Sequence, residues 1–416
     1  MTVPSLRTGA PPLRLPGEHF IAALAFLIVG AAGLWRIAPE LSNGAYPAAQ
    51  VVAVTHLFTL GWITTSIMGA LYQFLPVALN QPIASERLAH ATFGLHVAGV
   101  ALMVTGIGVH HATTLGVGLV LLGTGIAIFI GNLGVTLRRA ARRELTWWSL
   151  CLAATFLAIA FLVGLALAIG RFTGFLGAGH DLALRVHLHA GLFGWVMLVI
   201  VGVSHRLLPM FLLSHGGSER FARWAVLLIA SGAALLTVFH HLAVLGRELP
   251  VVLLAAGLVA WVVQARVFFR HRHRPQLDAG LRLSAIAIAL LALTPLVLGR
   301  FLFPGVSASA RTLYGGLIVA GCALFVAAQY YKIVPFLIWN RHFGPLAGTR
   351  PLPRVADLYA AKEATVAIAM LAAGATAVLA GISTGAAGVV RIGTFLLMAG
   401  ALVEARQLWG VSRRRP

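Results

Sequence analysis

Twelve long apolar stretches, separated by short loops rich in arginine, run the length of this chain and leave it few folds to choose from. They fall at 18–37, 48–79, 88–110, 113–137, 147–170, 183–213, 222–243, 249–268, 281–303, 309–338, 360–382 and 387–410. Each reaches the length of about 20 residues that a helix needs to cross a bilayer. In hydrocarbon a backbone must satisfy its own hydrogen bonds, which selects helices here over strands. The predicted fold is therefore all-α: a polytopic membrane bundle of about 12 transmembrane helices forming one integral membrane domain over 1–416. Composition agrees, since only 10% of the residues are charged, against roughly 25% in a soluble domain. The net charge of +20 belongs to loop clusters flanking the apolar runs and does not indicate nucleic acid. Lipid is the expected surroundings. Cys151 and Cys322 both lie inside apolar stretches, so neither a disulfide framework nor a covalent heme-attachment motif is expected.

The basic residues also predict an orientation. Loops on the side of both termini hold 23 of the 31 arginines and lysines, including the cluster Arg138, Arg139, Arg142 and Arg143; the opposite side holds seven, and Lys332 lies within a stretch. This places both termini in the cytoplasm of a bacterial-type inner membrane. Residues 1–17 form a cytoplasmic tail, and the first stretch, lacking a small-residue cleavage site, is expected to remain as an anchor.

The chain repeats itself. His56-Leu-Phe-Thr-Leu-Gly61-Trp62, running through Gly69 and Tyr72 to Pro76, aligns without a gap with His189-Ala-Gly-Leu-Phe-Gly194-Trp195, running through Gly202 and His205 to Pro209. A third copy ends Tyr331-Lys332-Ile333-Val334-Pro335, with Ala328 at the second glycine position and Gly315 at the histidine position. These copies lie on the second, sixth and tenth stretches. The predicted unit is thus four helices, in three arcs at approximately 18–137, 147–268 and 281–410.

Histidines follow the same repeat. The third and seventh stretches end in His110-His111 and His240-His241, each just over 50 residues beyond its repeat histidine. In the predicted topology His56, His110, His111, His187, His189, His240 and His241 all occupy the periplasmic half. Ionisable groups inside spans are functional candidates, and neutral imidazole is a common ligand of heme iron and copper. His187 and His189 point about 200° apart on a helix, so one helix can serve two flanking sites. His271, His273 and His342 sit in basic loops and are expected to be solvated. His96 and His205 fit either class.

Twelve helices in three arcs, with His187-Leu-His189-Ala-Gly191-Leu-Phe-Gly194-Trp195 leading to Leu208-Pro209, resemble the heme-copper oxidase catalytic subunit, most closely its C-type branch. The resemblance implies heme at His56, His187 and His189, and copper at the histidine pairs His110/His111 and His240/His241. One site would then use His56, His110, His111 and one of His187/His189; the other would use the remaining histidine with His240 and His241. The chain departs from the family in carrying His-x-His on the sixth helix rather than the tenth. No tyrosine lies four residues after either His187 or His189, and the eleven acids map to loops or helix ends. Gln329-Tyr330-Tyr331-Lys332 is the one interior polar trail expected, and Lys332 is read as snorkelling to the cytoplasmic face beside an interfacial tyrosine pair. Energy-conserving oxygen reduction is therefore not expected. The resemblance points instead to electron transfer or small-gas redox chemistry involving nitric oxide or oxygen, with a looser likeness to NnrS-type proteins. It implies a separate periplasmic electron donor and leaves room for a partner subunit. Two alternatives stand beside this reading: a secondary transporter, although the largest such class repeats by six helices, and a metal-free assembly relative of the oxidase fold.

Overall fold

The computed structural model describes residues 12–79, 81–215, 218–238 and 248–416. Among these it has 12 helices long and apolar enough to cross a membrane: α1 Arg14–Arg36, α2 Ala49–Leu79, α3 Glu86–Gly108, α4 Ala112–Arg139, α5 Leu145–Thr173, α6 Gly177–Leu212, α7 Arg220–Thr237, α8 Glu248–Arg270, α9 Ala279–Leu302, α10 Ala308–His342, α11 Ala361–Thr384 and α12 Ala387–Ser412. The protein is an all-α, multi-pass membrane bundle. Side chains such as Ile21, Leu162, Leu296, Ile392 and Phe395 are exposed on its helices, as befits faces in contact with lipid.

The three long helices are the most enclosed. In α2, α6 and α10, 72% of the most apolar window is buried, against 50% or less in the other nine. Pro76, Pro209 and Pro335 lie within these helices and do not end them. Neighbouring helices and local adjustment can re-satisfy the groups that proline frees within a membrane helix. The ninth span, by contrast, is broken. Its first segment is Ala279–Leu291, and a second helix begins at Thr294, with a proline in its first turn. Pro295 lacks the N–H that would continue the ladder.

The chain forms two compact units. Unit one comprises residues 1–20, 64–273 and 292–306; unit two comprises 21–63, 274–291 and 307–416. Within unit one, α3 packs against α4 and α7 against α8; within unit two, α11 packs against α12. Small residues let these pairs approach closely. A Cβ at Gly106 would meet the Leu115 backbone at 2.4 Å, and one at Gly393 would meet the Val378 nitrogen at 2.6 Å.

Polar latches tie loops to these pairs. In unit one the Asn132 amide accepts from the Ser85 N–H at 3.0 Å and donates to the Ser85 carbonyl at 2.9 Å. Gln264 accepts from the Ala222 N–H at 3.0 Å and donates to the Ser218 carbonyl at 2.9 Å. Both replace hydrogen bonds that the loop and the helix start cannot make for themselves.

Candidate functional site

The two histidine-bearing copies of the repeat share an unusual backbone. His56 ends an α-helical segment that passes into a π-helix at Leu57–Thr64. His189 likewise ends an α-helical segment and passes into a π-helix at Ala190–Met197. The eight residues concerned are the same eight in the alignment. The third copy, which has Gly315 in place of the histidine, is α-helical throughout Ala308–His342. Wide turns of this kind are rare and concentrate at functional sites.

Glycines in the repeat accommodate neighbouring helices. In unit one a Cβ at Gly194 would lie 2.3 Å from Phe156 of α5, and one at Gly202 would lie 2.5 Å from the Ser149 side chain. The equivalent residues behave alike: Gly61 faces Phe26 of α1 within unit two, and Gly69 faces His19 of α1 within unit one, at 2.7 and 2.6 Å. Each pair of close approaches is offset by seven residues along α1 or α5, so the α1/α2 packing is reproduced by α5/α6.

The three histidines expected to hold heme have one feature in common. His56 Nδ1 is 2.7 Å from the Val52 carbonyl, and His189 Nδ1 is 2.8 Å from the Arg185 carbonyl, each four residues back on its own helix. His187 Nδ1 is 2.8 Å from the Ala160 carbonyl of α5. A Cβ at Gly164 would sit 2.7 Å from the His187 ring, so glycine there makes room for it. A carbonyl at Nδ1 holds the proton on that nitrogen and leaves the lone pair on Nε2, as in histidines that bind metals. His187 is thus held by α5, whereas the His189 ring stacks on Phe193 of its own helix, with centroids 6.0 Å apart. The two histidines thus have different neighbours.

The placement of His110 and His111 at the end of the third helix needs correction. The preceding helix ends at Gly108, so both residues lie in the turn between α3 and α4 and are exposed. His111 is the N-cap of α4, its Nδ1 accepting from the Thr114 N–H at 3.3 Å. The same Nδ1 lies 2.8 Å from the Thr114 hydroxyl, so at His111 this nitrogen faces the start of α4 and not a carbonyl as at His56, His187 and His189. His110 has a positive φ of 55° and stacks on Phe172 at 4.7 Å. His240 and His241 lie outside the described residues. Among the described residues no three His, Cys, Asp or Glu side chains form a group that could hold a metal ion.

One interior polar group escaped the sequence reading. In unit one His19 is 1% exposed, with Nδ1 2.8 Å from the Leu15 carbonyl. It begins a run of buried rings: His19 to Tyr72 at 5.5 Å, Tyr72 to Phe129 at 5.9 Å and Phe129 to Trp195 at 5.8 Å. Trp195 Nε1 donates to the Thr64 hydroxyl at 3.1 Å. Nearby, His90 pairs with Glu18 at 2.5 Å. An ionisable residue inside the first apolar stretch was the available signal. His205, at the repeat position of Tyr72, is also buried and has Glu219 3.4 Å from its Nε2.

In unit two the expected snorkelling lysine is instead buried. Lys332 donates to Asp278 at 2.5 Å, and Arg274 reaches the same carboxylate oxygen at 3.1 Å. Tyr330 and Tyr331 are 2% and 1% exposed, so they form no interfacial belt. Nor do the acids all map to loops or helix ends: Glu404, inside α12, is fully buried. The polar stretch at Gln329–Lys332 is therefore not the one interior trail.

Comparison of the sequence with protein-family models returns no matching family, and comparison with curated proteins returns no match.

Proposed function

We propose that this protein binds heme through His56, His187 and His189 and works in electron transfer or small-gas redox chemistry, with nitric oxide or oxygen as the gas. The observation that carries the reading is the shared setting of these imidazoles: Nδ1 on a backbone carbonyl in all three, with a π-helix directly after His56 and His189. Heme iron would supply the one-electron chemistry, and its axial ligands would set the potential. The residues of this chain hold each of the three imidazoles by Nδ1 on a backbone carbonyl, which leaves the Nε2 lone pair for the iron. Their resemblance to the heme-copper oxidase catalytic subunit supports the same reading.

Copper would be held, in this proposal, by His240 and His241. His110 and His111 fit a ligand role less well, because both are exposed in the turn between α3 and α4 and His111 caps a helix through Nδ1. The excess of arginine and lysine in loops on the side of the termini supports a bacterial-type inner membrane with both ends cytoplasmic. Electrons would then arrive from a separate periplasmic donor.

An optical spectrum of the purified protein tests this reading, taken oxidised, reduced with dithionite, and reduced under carbon monoxide. A Soret band that moves on reduction supports heme, and a response to carbon monoxide supports gas chemistry at an open coordination position. A colourless protein from cells well supplied with heme overturns it.

One observation favours a second reading, transport. α9 is interrupted between Leu291 and Thr294, and discontinuous helices line the substrate sites of many secondary transporters. The same spectrum separates the two.

A further inference from the structure

Glu404 has an environment that its ordinary roles do not explain. It lies in α12, eight residues before Ser412, with 0% exposure, and neither carboxyl oxygen has a hydrogen-bond partner among the described residues. Gln407, one turn further on, is 7% exposed, and both its amide atoms are equally without partner. Tyr331 of α10 lies within electrostatic reach of Glu404, and its buried hydroxyl also lacks a partner. Gln407 follows Glu404 by three residues, which places the two on one helix face.

The cations on the elements packed around this cluster are engaged elsewhere or exposed. On α10, Lys332 is committed to Asp278, and Arg341 at the helix end is exposed beside His342. On α11, Glu363 pairs with Arg406 at 2.5 Å, and Lys362 is exposed. Tyr359, just before α11, packs on Tyr331 with centroids 5.3 Å apart. The short helix Ala38–Ser42, which also packs against α12, brings Glu40, another acid. Among the described residues no cation pairs with Glu404. An ionised carboxylate left without partner or water is among the costliest groups a protein interior can hold, and neutralisation by a proton is the usual relief. Intramembrane carboxyls placed in this way mark ion and proton sites.

We propose that Glu404, with Gln407 and Tyr331 beside it, is a proton-binding site within the membrane. An O–H bond forms at a carboxyl oxygen; the proton comes from water and returns to it, and no electrons move. The Gln407 amide and the Tyr331 hydroxyl keep unengaged hydrogen-bonding atoms in the same buried region. This proposal is independent of heme.

The test is infrared spectroscopy of the full chain in lipid, wild type against Glu404→Gln, at neutral pH in water and in deuterium oxide. The wild type is expected to show the carbonyl stretch of an un-ionised carboxylic acid, shifted by deuterium and missing from Glu404→Gln. Absence of that band from the difference spectrum overturns the proposal. Should Glu404→Gln not fold, dicyclohexylcarbodiimide, which modifies protonated carboxyls from the apolar phase, decides on the wild type. Peptide mapping is expected to find Glu404 modified at neutral pH and much less at alkaline pH, with the ion-paired Glu363 unmodified. An unmodified Glu404 under conditions that label an added lipid-soluble carboxylic acid overturns it.

Discussion

Lys332, ten residues before the end of the tenth span, is tied to Asp278, the residue just before the ninth, with Nζ 2.5 Å from Oδ2. In the second repeat Arg206, at the position equivalent to Lys332, pairs with Glu144, the residue just before α5. The long helix of each of these repeats is thus pinned by a cation to the start of the helix preceding it in sequence. In the first repeat the position is Gln73 and carries no charge.

The two partners in unit two are not equivalent. Asp278→Asn removes the carboxylate that Lys332 and Arg274 share and is expected to destabilise the protein by about 3 kcal/mol, the range for stripping one partner from a buried pair. Lys332→Met leaves Asp278 with Arg274 and is expected to cost less, about 1 kcal/mol. Unfolding in mixed micelles, followed by tryptophan fluorescence, measures both. Equal losses would sink the asymmetry.

The latches on the helix pairs should be separable by exchange. Asn132→Ala removes two hydrogen bonds to Ser85, worth about 1–3 kcal/mol together. Amide hydrogen exchange should rise at residues 84–88 and remain unchanged at 218–222. Gln264→Ala should show the converse.

Close packing predicts a contrast between two glycines. Gly194→Ala places a methyl 2.3 Å from Phe156 and is expected to cost about 1–3 kcal/mol by overpacking. A Cβ at Gly131 meets nothing within 4 Å, so Gly131→Ala should be neutral or stabilising by up to about 1 kcal/mol. Comparing their melting temperatures in one detergent checks the pair.

The histidines can be told apart in the same way. Under the heme reading, His56→Ala and His189→Ala each lower heme per protein. His111→Ala keeps the heme and loses about 1 kcal/mol with its helix cap. Pyridine hemochrome assay and thermal unfolding read the two effects separately. Unchanged heme in both His56→Ala and His189→Ala would contradict the assignment.

Much of this protein can be read from its order of residues, because a bilayer imposes a length and a polarity that no neighbouring helix can alter. The twelve spans follow from that alone, and most of their bounds agree to within a few residues. The spacing of Gly61 and Gly69, repeated at Gly194 and Gly202, marks the helix faces that approach closely. Tertiary structure alone decided the fate of the polar side chains. Whether Lys332 snorkels or pairs depends on where Asp278, 54 residues away, is carried by the fold. Glu404 reads in sequence as the edge of a helix, yet it is fully buried in α12, which packs against α10 and α11. His111 reads as the end of one helix and instead caps the next, because α3 ends two residues earlier than its apolar run. Hydropathy is a property of a segment, whereas pairing is a property of two segments brought together.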